Sequence, residues 1–259
     1  IKIISGLDIS ERRLPQDGRV SLSLGDKSVD VRVSSLPSSY GERIVLRILD
    51  KQAAQINIDD LGLPPKILAN YKSSLKNPEG IILFTGPTGS GKTTTLYAGL
   101  RYLSDSSQNI LTVEDPIEYT LNGIGQTQVN NKTGYTFAKG LRAILRQDPD
   151  IVMVGEMRDI ETAQIGIQSS LTGHLVLSTV HTNSAVAAIT RLRDMGIESF
   201  LLASSLRTII SQRLVRRLCS HCKTKDKPSI KSIDIFGLDK NKSVYSAKGC
   251  DECNHTGYQ

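Results

Sequence analysis

Residues 86–93 read Gly86-Pro87-Thr88-Gly89-Ser90-Gly91-Lys92-Thr93, a GxxxxGK[ST] pattern set between two segments of opposite character. Ahead of it runs Ile81-Ile82-Leu83-Phe84-Thr85, apolar and β-favouring; behind it, Thr94-Thr95-Leu96-Tyr97-Ala98-Gly99-Leu100 reads as the first turns of a helix. Strand, glycine loop and helix start form an anion cradle, because backbone N–H groups converge there and the helix dipole favours negative charge. The glycines let the main chain wrap closely, Lys92 is placed for the β/γ-phosphates, and the Thr93 hydroxyl is placed to ligate Mg²⁺. The segment 86–94 is therefore expected to bind a nucleoside triphosphate.

Composition narrows what such a site serves. The chain has 259 residues and begins at Ile1, and we read it as a piece of a longer protein. It shows neither an apolar run of membrane-spanning length nor a charged-then-apolar leader, so a soluble chain without a transmembrane segment is expected. Four cysteines in a chain this long do not make a disulfide scaffold, which points to a reducing, cytoplasmic setting. The net charge of +6 raises nucleic acid as a partner. With no Trp and only 5% aromatic residues, stacking platforms for bases are poorly supplied, and no nucleic-acid partner is expected.

The hydrophobic pattern changes along the chain. Residues 1–50 alternate apolar and polar at Val20–Leu24, turn at Gly25-Asp26-Lys27, alternate again at Val29–Val33, and carry a third β-type run at Arg43–Leu49. This predicts a small antiparallel sheet, the end of an N-terminal α+β domain. Residues 51–79, with Pro64-Pro65 and Pro78, read as a linker around one short helix. From 80 to 218 strands alternate with helices: strands at 81–85, 110–113, 151–154 and 175–179, helices at 92–103, 136–146, 161–171, 185–195 and 199–218. Such alternation predicts an α/β core, a parallel sheet covered on both faces. Residues 219–259 lose this regularity and hold all four cysteines.

Hydrolysis of a triphosphate needs acidic groups for Mg²⁺ and water, and positive charge for the γ-phosphate. Open α/β sheets place such groups at the carboxyl ends of strands, here expected beside the loop strand. Ile110–Val113 runs into Glu114-Asp115-Pro116-Ile117-Glu118, and Ile151–Val154 runs into Gly155-Glu156. The second resembles a Walker B strand with Gly155 in the usual Asp position, leaving Glu156 as its acid. His174 and His181 bracket the strand 175–179, either as hydrogen-bonded structural residues or as sensors of the γ-phosphate or of a subunit contact. Arg142, Arg146, Arg158, Arg191 and Arg193 read as a solvated basic face or as phosphate-neutralising fingers. Cys219-Ser220-His221-Cys222 and Cys250-Asp251-Glu252-Cys253 are two CxxC pairs 27 residues apart, a spacing suited to a structural Zn²⁺ held by four thiolates. His221 and His255 stand nearby as substitute ligands.

Taken together, these motifs resemble the secretion ATPase superfamily of type II secretion and type IV pilus assembly, nearest the GspE/PulE type. The carriers run from about Ser5 to Tyr258: Arg13–Arg19, Ser38–Arg43, the phosphate loop, Glu114–Glu118, Gly123–Val129, Leu141–Asp150, Val154–Asp159, Leu171–Val176 and His181–Asn183. The resemblance implies a RecA-like P-loop ATPase core with a partial N-terminal domain and a small zinc-binding C-terminal subdomain. It implies Glu118 as the base that polarises water, Glu156 as support for Mg²⁺, and His174 and His181 beside the nucleotide or the subunit contact. Arg32 and Arg47, with Arg19 less securely, match the arginines that close over the γ-phosphate. The family implies ATP, Mg²⁺ and Zn²⁺ as cofactors, a homo-hexameric ring, and inner-membrane platform proteins as partners at the cytoplasmic face. The four cysteines point to a secretion or extension motor rather than a retraction motor. Type II secretion is the first expectation and type IV pilus extension its alternative. A nucleic-acid motor or a nucleotide-gated scaffold stands further off.

Overall fold

Six residues in succession from Gly80 to Thr85 are buried, so this strand must be covered on both faces. The structure, a computed structural model, describes residues 1–24, 27–49, 56–104, 107–237 and 239–259. These fall into two compact units, Ile1–Gln212 and Arg213–Gln259. The turn expected at Gly25-Asp26 and the first residues of the expected linker lie outside the described residues.

The first unit opens with a three-stranded antiparallel sheet of β1 (Gln16–Leu24), β2 (Lys27–Ser38) and β3 (Gly41–Leu49). Register sets Arg19 opposite Arg32, and Arg32 opposite Arg47, so three arginines form one cross-strand row. Helix α1 (Pro65–Leu75) then leads to β4 (Gly80–Thr85) and α2 (Lys92–Leu103). There follow β5 (Ile110–Glu114), β6 (Gly125–Gln128), α3 (Phe137–Ile144), β7 (Ile151–Val154), α4 (Ile160–Leu171) and β8 (Leu175–Val180). Helices α5 (Ala185–Asp194) and α6 (Ser199–Ser205) and strand β9 (Leu206–Ser211) complete the unit. The strands form one parallel sheet in the order β6-β5-β7-β8-β4-β9.

Alternation along β4 decides which helices pack where. Ile82 and Phe84 face one cluster with Tyr71 and Leu75 of α1 and Leu96, Tyr97 and Leu100 of α2. Ile81 and Leu83 face the other side, against Ala163 and Ile167 of α4, Leu192 of α5 and Leu202 of α6. Helix α3 extends that second layer over β5 and β7 through Phe137, Leu141 and Ile144. Each fully buried Leu here contributes roughly 1.5–3 kcal/mol against the unfolded chain. The α/β expectation thus holds, with helices on both faces.

Two sequence readings are corrected. The helix expected over 199–218 stops at Ser205, and Leu206–Ser211 is an edge strand paired with β4. Its Thr208-Ile209-Ile210 run is β-branched, and pairing with β4 decides between two readings that its apolar spacing allowed. The acidic strands also do not neighbour the loop strand, because β8 lies between β4 and β7, and β5 is one strand further out.

The second unit holds β10 (Thr224–Asp226) paired antiparallel with β11 (Val244–Ser246), and a short helix α7 (Ile230–Phe236). No helix among the described residues is long and apolar enough to cross a membrane.

Candidate nucleotide site and tetracysteine cluster

Because every strand of the large sheet runs parallel, all carboxyl ends open on one edge. That edge receives the loop after β4, the Glu114–Glu118 turn after β5, Gly155-Glu156 after β7 and His181 after β8.

The loop is built to approach something closely. Gly86 sits at φ +148°, and a Cβ there would lie 2.4 Å from the Gln212 carbonyl oxygen and 2.6 Å from Ser90 Oγ. Gly91 caps α2 in the left-handed region at φ 84°, without any side-chain cap for the first-turn N–H groups. Helices α3, α4 and α5 each have such a cap, from Thr136, Asp159 and Ser184. Ser90 Oγ is buried with no hydrogen-bond partner. Lys92, also buried, donates from Nζ to the Gly86 and Pro87 carbonyls at 3.0 Å each. Thr93 is exposed at the mouth, next to Thr94. Uncapped donors, a lone buried hydroxyl and a cradle that a Cβ would fill suit a phosphate group, with Thr93 facing outward for a metal.

Glu118 stands at the end of the turn after β5, whose Asp115–Pro116 peptide is cis. Arg32 of β2 grips it: Nη2 lies 2.7 Å from Glu118 Oε2 and 3.2 Å from the Ile117 carbonyl. Arg32, expected over a γ-phosphate, therefore rests on the carboxylate expected to act as base. Arg47 lies exposed beside it in the row, and Arg19 pairs with Asp30 at 2.7 Å. Glu156 is buried, in contact with the Arg158 guanidinium and 3.4 Å from His181 Nε2. Arg158 also reaches Asp115 at 3.9 Å, tying the two acidic turns together. Gly155 has a local reason: a Cβ there would meet Glu114 Cα, Val113 O and Phe137 at 3.4 Å each.

His174 is not brought to this edge. It precedes β8 at the amino end, with its carbonyl accepting from Gly80 N–H at 3.1 Å and its Nδ1 3.0 Å from the Ser169 carbonyl. Six strand residues separate it from His181, roughly 20 Å at the usual rise. It is thus remote from the phosphate loop of its own chain, unlike His181. Arg142 pairs with Glu161 on the surface at 2.6 Å, and Arg146 donates to the Arg142 carbonyl, which fits the solvated-face reading.

Gln212 and Tyr97, which have no role in the sequence reading, sit among these groups. Gln212 accepts from Thr95 Oγ1 at 2.8 Å, and its N–H donates to Thr85 O. Tyr97 donates its hydroxyl to Glu114, and that buried carboxylate also accepts from Thr112 Oγ1 at 2.6 Å and Gln126 Nε2 at 3.0 Å. Burial raises Glu114 above the usual carboxylate range, against the pull of its donors, and raises the Tyr97 phenol too. Membership of the acidic segment 114–118 was the sequence signal for Glu114, and nothing local pointed to its tie with Tyr97.

In the second unit the four cysteine sulfurs all lie within 4.8 Å of one another. Cys219–Cys250, Cys222–Cys253 and Cys250–Cys253 sulfurs are 3.9, 3.8 and 3.7 Å apart. A tetrahedron with metal–sulfur bonds of about 2.3 Å has edges of about 3.8 Å, so the cluster suits a metal of that geometry. Disulfides would need about 2.05 Å. Backbone N–H groups of Gly249, Cys250 and Gly257 point at the sulfurs of Cys222, Cys253 and Cys253 at 3.2–3.3 Å. Burial pushes the Cys250 thiol up to about 12, with S–H sharing adding to it. For Cys253 burial acts upward as well, but the backbone donors prevail and bring it down to about 6. His255 pairs outward with Asp251 at 3.1 Å, and the cluster consists of the four cysteines.

The chain is 58% identical over its whole length to the type II secretion system ATPase E of Vibrio cholerae and 59% identical to the type II secretion system protein E of Pseudomonas aeruginosa. It spans about half the length of these curated relatives, 52% of each. Among solved structures, the pilus retraction motor PilT with bound ADP superposes with a TM-score of 0.67 at 36% identity, covering 79% of this chain and 60% of that one. The ATPase DotB of Legionella pneumophila gives 0.65 at 26% identity, covering 90% of this chain and 61% of that one. The type II/IV secretion system protein family matches residues 1–259 in full, and the chain belongs to that family.

Proposed function

We propose that this chain is the catalytic part of a Mg²⁺-dependent ATPase that drives type II protein secretion. The observation that carries the reading is the convergence, on one sheet edge, of a phosphate cradle with two carboxylates and an arginine from the N-terminal sheet. The names of the relatives favour secretion over pilus extension.

The residues 86–94 bind the triphosphate through loop N–H groups and Lys92. Thr93 and Glu156 would hold Mg²⁺, which would neutralise charge on the bound triphosphate. Glu118 orients and deprotonates the attacking water. Arg32 first leaves Glu118, which frees the base and brings the guanidinium toward the γ-phosphate with Arg47. One movement of the N-terminal sheet would thus supply both changes. His181 couples Glu156 to the end of β8, and His174, at the opposite end, is available to a neighbouring subunit. The four cysteines would hold a structural Zn²⁺ and, as four thiolates, would leave it no role beyond holding the fold.

In this account the protein assembles as a homo-hexamer at the cytoplasmic face of the inner membrane and engages platform proteins there. The domain boundaries at 50, 79 and 218 belong to the same proposal. The test is specific ATPase activity against protein concentration, for the wild type and Glu156→Gln. A rate per chain that rises with concentration and collapses in the variant supports the reading. A fast, concentration-independent rate unaffected by the substitution contradicts it.

A further inference from the structure

Between the phosphate loop and Glu118 lies a polar group that the hydrolysis scheme above does not use. Tyr97, five residues into α2 from Lys92, is buried, and its hydroxyl makes two contacts. It donates to Glu114 Oε2, and it accepts from the Glu118 backbone N–H at 3.3 Å. The polarity follows from chemistry. The Glu118 N–H can only donate, so it takes a lone pair of the phenol oxygen, and the single phenolic hydrogen is left for the Glu114 carboxyl oxygen. Thr112 and Gln126 hold Glu114 itself in place from the other side. Gln126 also accepts from Leu121 N–H at 2.7 Å and donates to the Tyr119 carbonyl at 3.2 Å, so the turn is held beyond Glu118 as well. The Tyr97 ring meets the Tyr119 ring edge-on, with centroids 4.6 Å apart at 82°.

We propose that Tyr97 is a positioning residue: it fixes the Glu118 turn to the helix that starts at the phosphate loop, with Glu114 orienting its hydroxyl. The inference rests on reading Glu118 as the water-activating base. Glu118 sits on a turn, while α2 is anchored in the core by Leu96, Leu100 and Leu103. Arg32 holds the carboxylate only until it leaves, and the tie to Tyr97 then fixes the Glu118 backbone to α2. With it, the distance from the base to the phosphates is set by a rigid helix about 7.5 Å long between Lys92 and Tyr97. A misplacement of about 1 Å costs on the order of a hundredfold in rate.

The test compares Tyr97→Phe, Tyr71→Phe and Glu118→Gln. Tyr97→Phe keeps the ring and removes only the hydroxyl. Tyr71→Phe removes a buried hydroxyl from the same neighbourhood, one that donates to Thr95 O of α2 at 3.0 Å and does not touch the turn. Steady-state ATP turnover, the KM for Mg-ATP and binding of a fluorescent ADP analogue are measured for each. The expected result is a fall in kcat between about tenfold and a hundredfold for Tyr97→Phe, with KM and ADP affinity within about twofold of wild type. Tyr71→Phe leaves kcat unchanged, and adding Tyr97→Phe to Glu118→Gln causes no further loss. A kcat for Tyr97→Phe within twofold of wild type overturns the proposal, as does an equal fall in both Tyr variants. If instead Glu118→Gln keeps its turnover, the base assignment itself fails, and that outcome is read separately from the Tyr97 comparison.

Discussion

The Arg32–Glu118 contact separates two kinds of energy, and Arg32→Gln measures both. In the structure the pair is partly exposed, with side chains 20% and 37% accessible and an N–O distance of 2.7 Å. A pair of that exposure is screened by water and contributes about 1 kcal/mol or less to stability. Losing it also relieves the row Arg19, Arg32, Arg47, where like charges stand opposite one another across strands. The net stability change is therefore expected below about 1 kcal/mol. An arginine that meets a γ-phosphate in the transition state contributes on the order of a thousandfold or more in rate, about 4 kcal/mol. Urea denaturation and ATP turnover at saturating Mg-ATP, run on the same preparations, should thus diverge. Stability barely moves while turnover falls by about a thousandfold. The reasoning is refuted if turnover changes less than about fivefold, or if it falls only as far as folding does.

Three further outcomes follow from the geometry. Gly86→Ala forces a Cβ to 2.4 Å from the Gln212 carbonyl at φ +148°, so nucleotide binding by equilibrium titration should be lost and stability lowered by about 1–3 kcal/mol. Cys219→Ser should lower zinc from about one atom per chain to near none by metal analysis, with faster proteolysis within 213–259. Glu114 has its pKa raised by burial from the ordinary 4.5, so between 4.5 and the native value the folded chain holds a proton that the unfolded chain has released. The contribution of Glu114 to stability is then fully present below 4.5 and is lost as pH rises through the native value, and Glu114→Gln should remove that component from the pH dependence of denaturation midpoints.

Most of the fold was legible because its signals are local. The loop 86–93, the buried run of β4 and the periodicity of α2 through α5 lie within single segments, and the structure places them within a residue or two of expectation. Strand β6, Gly125-Gln126-Thr127-Gln128, carries no hydrophobic signal at all. It exists through backbone pairing to β5 and the Thr127 hydroxyl on the Thr112 carbonyl, both non-local. Strand β9 was misread because an amphipathic helix and a half-buried edge strand share apolar residues at similar spacing. The candidate site divides in the same way. Motif residues announced themselves by type and order. The meeting of Arg32 with Glu118 spans 86 positions, and the tie from Tyr97 to the acidic turn spans 21, so neither can be read from neighbouring residues. The two acidic strands do end on the expected edge of the sheet, but their distance from β4 depends on strand order, which no local pattern encodes.

The central claim is that the phosphate loop binds ATP and Glu118 makes the bond break. Single-turnover hydrolysis of Mg-ATP by Glu118→Gln, with equilibrium ATP binding measured in parallel, tests it most directly. The account predicts binding within about twofold of wild type and hydrolysis slowed by at least about a hundredfold. Hydrolysis within about threefold of wild type at full ATP occupancy would contradict it.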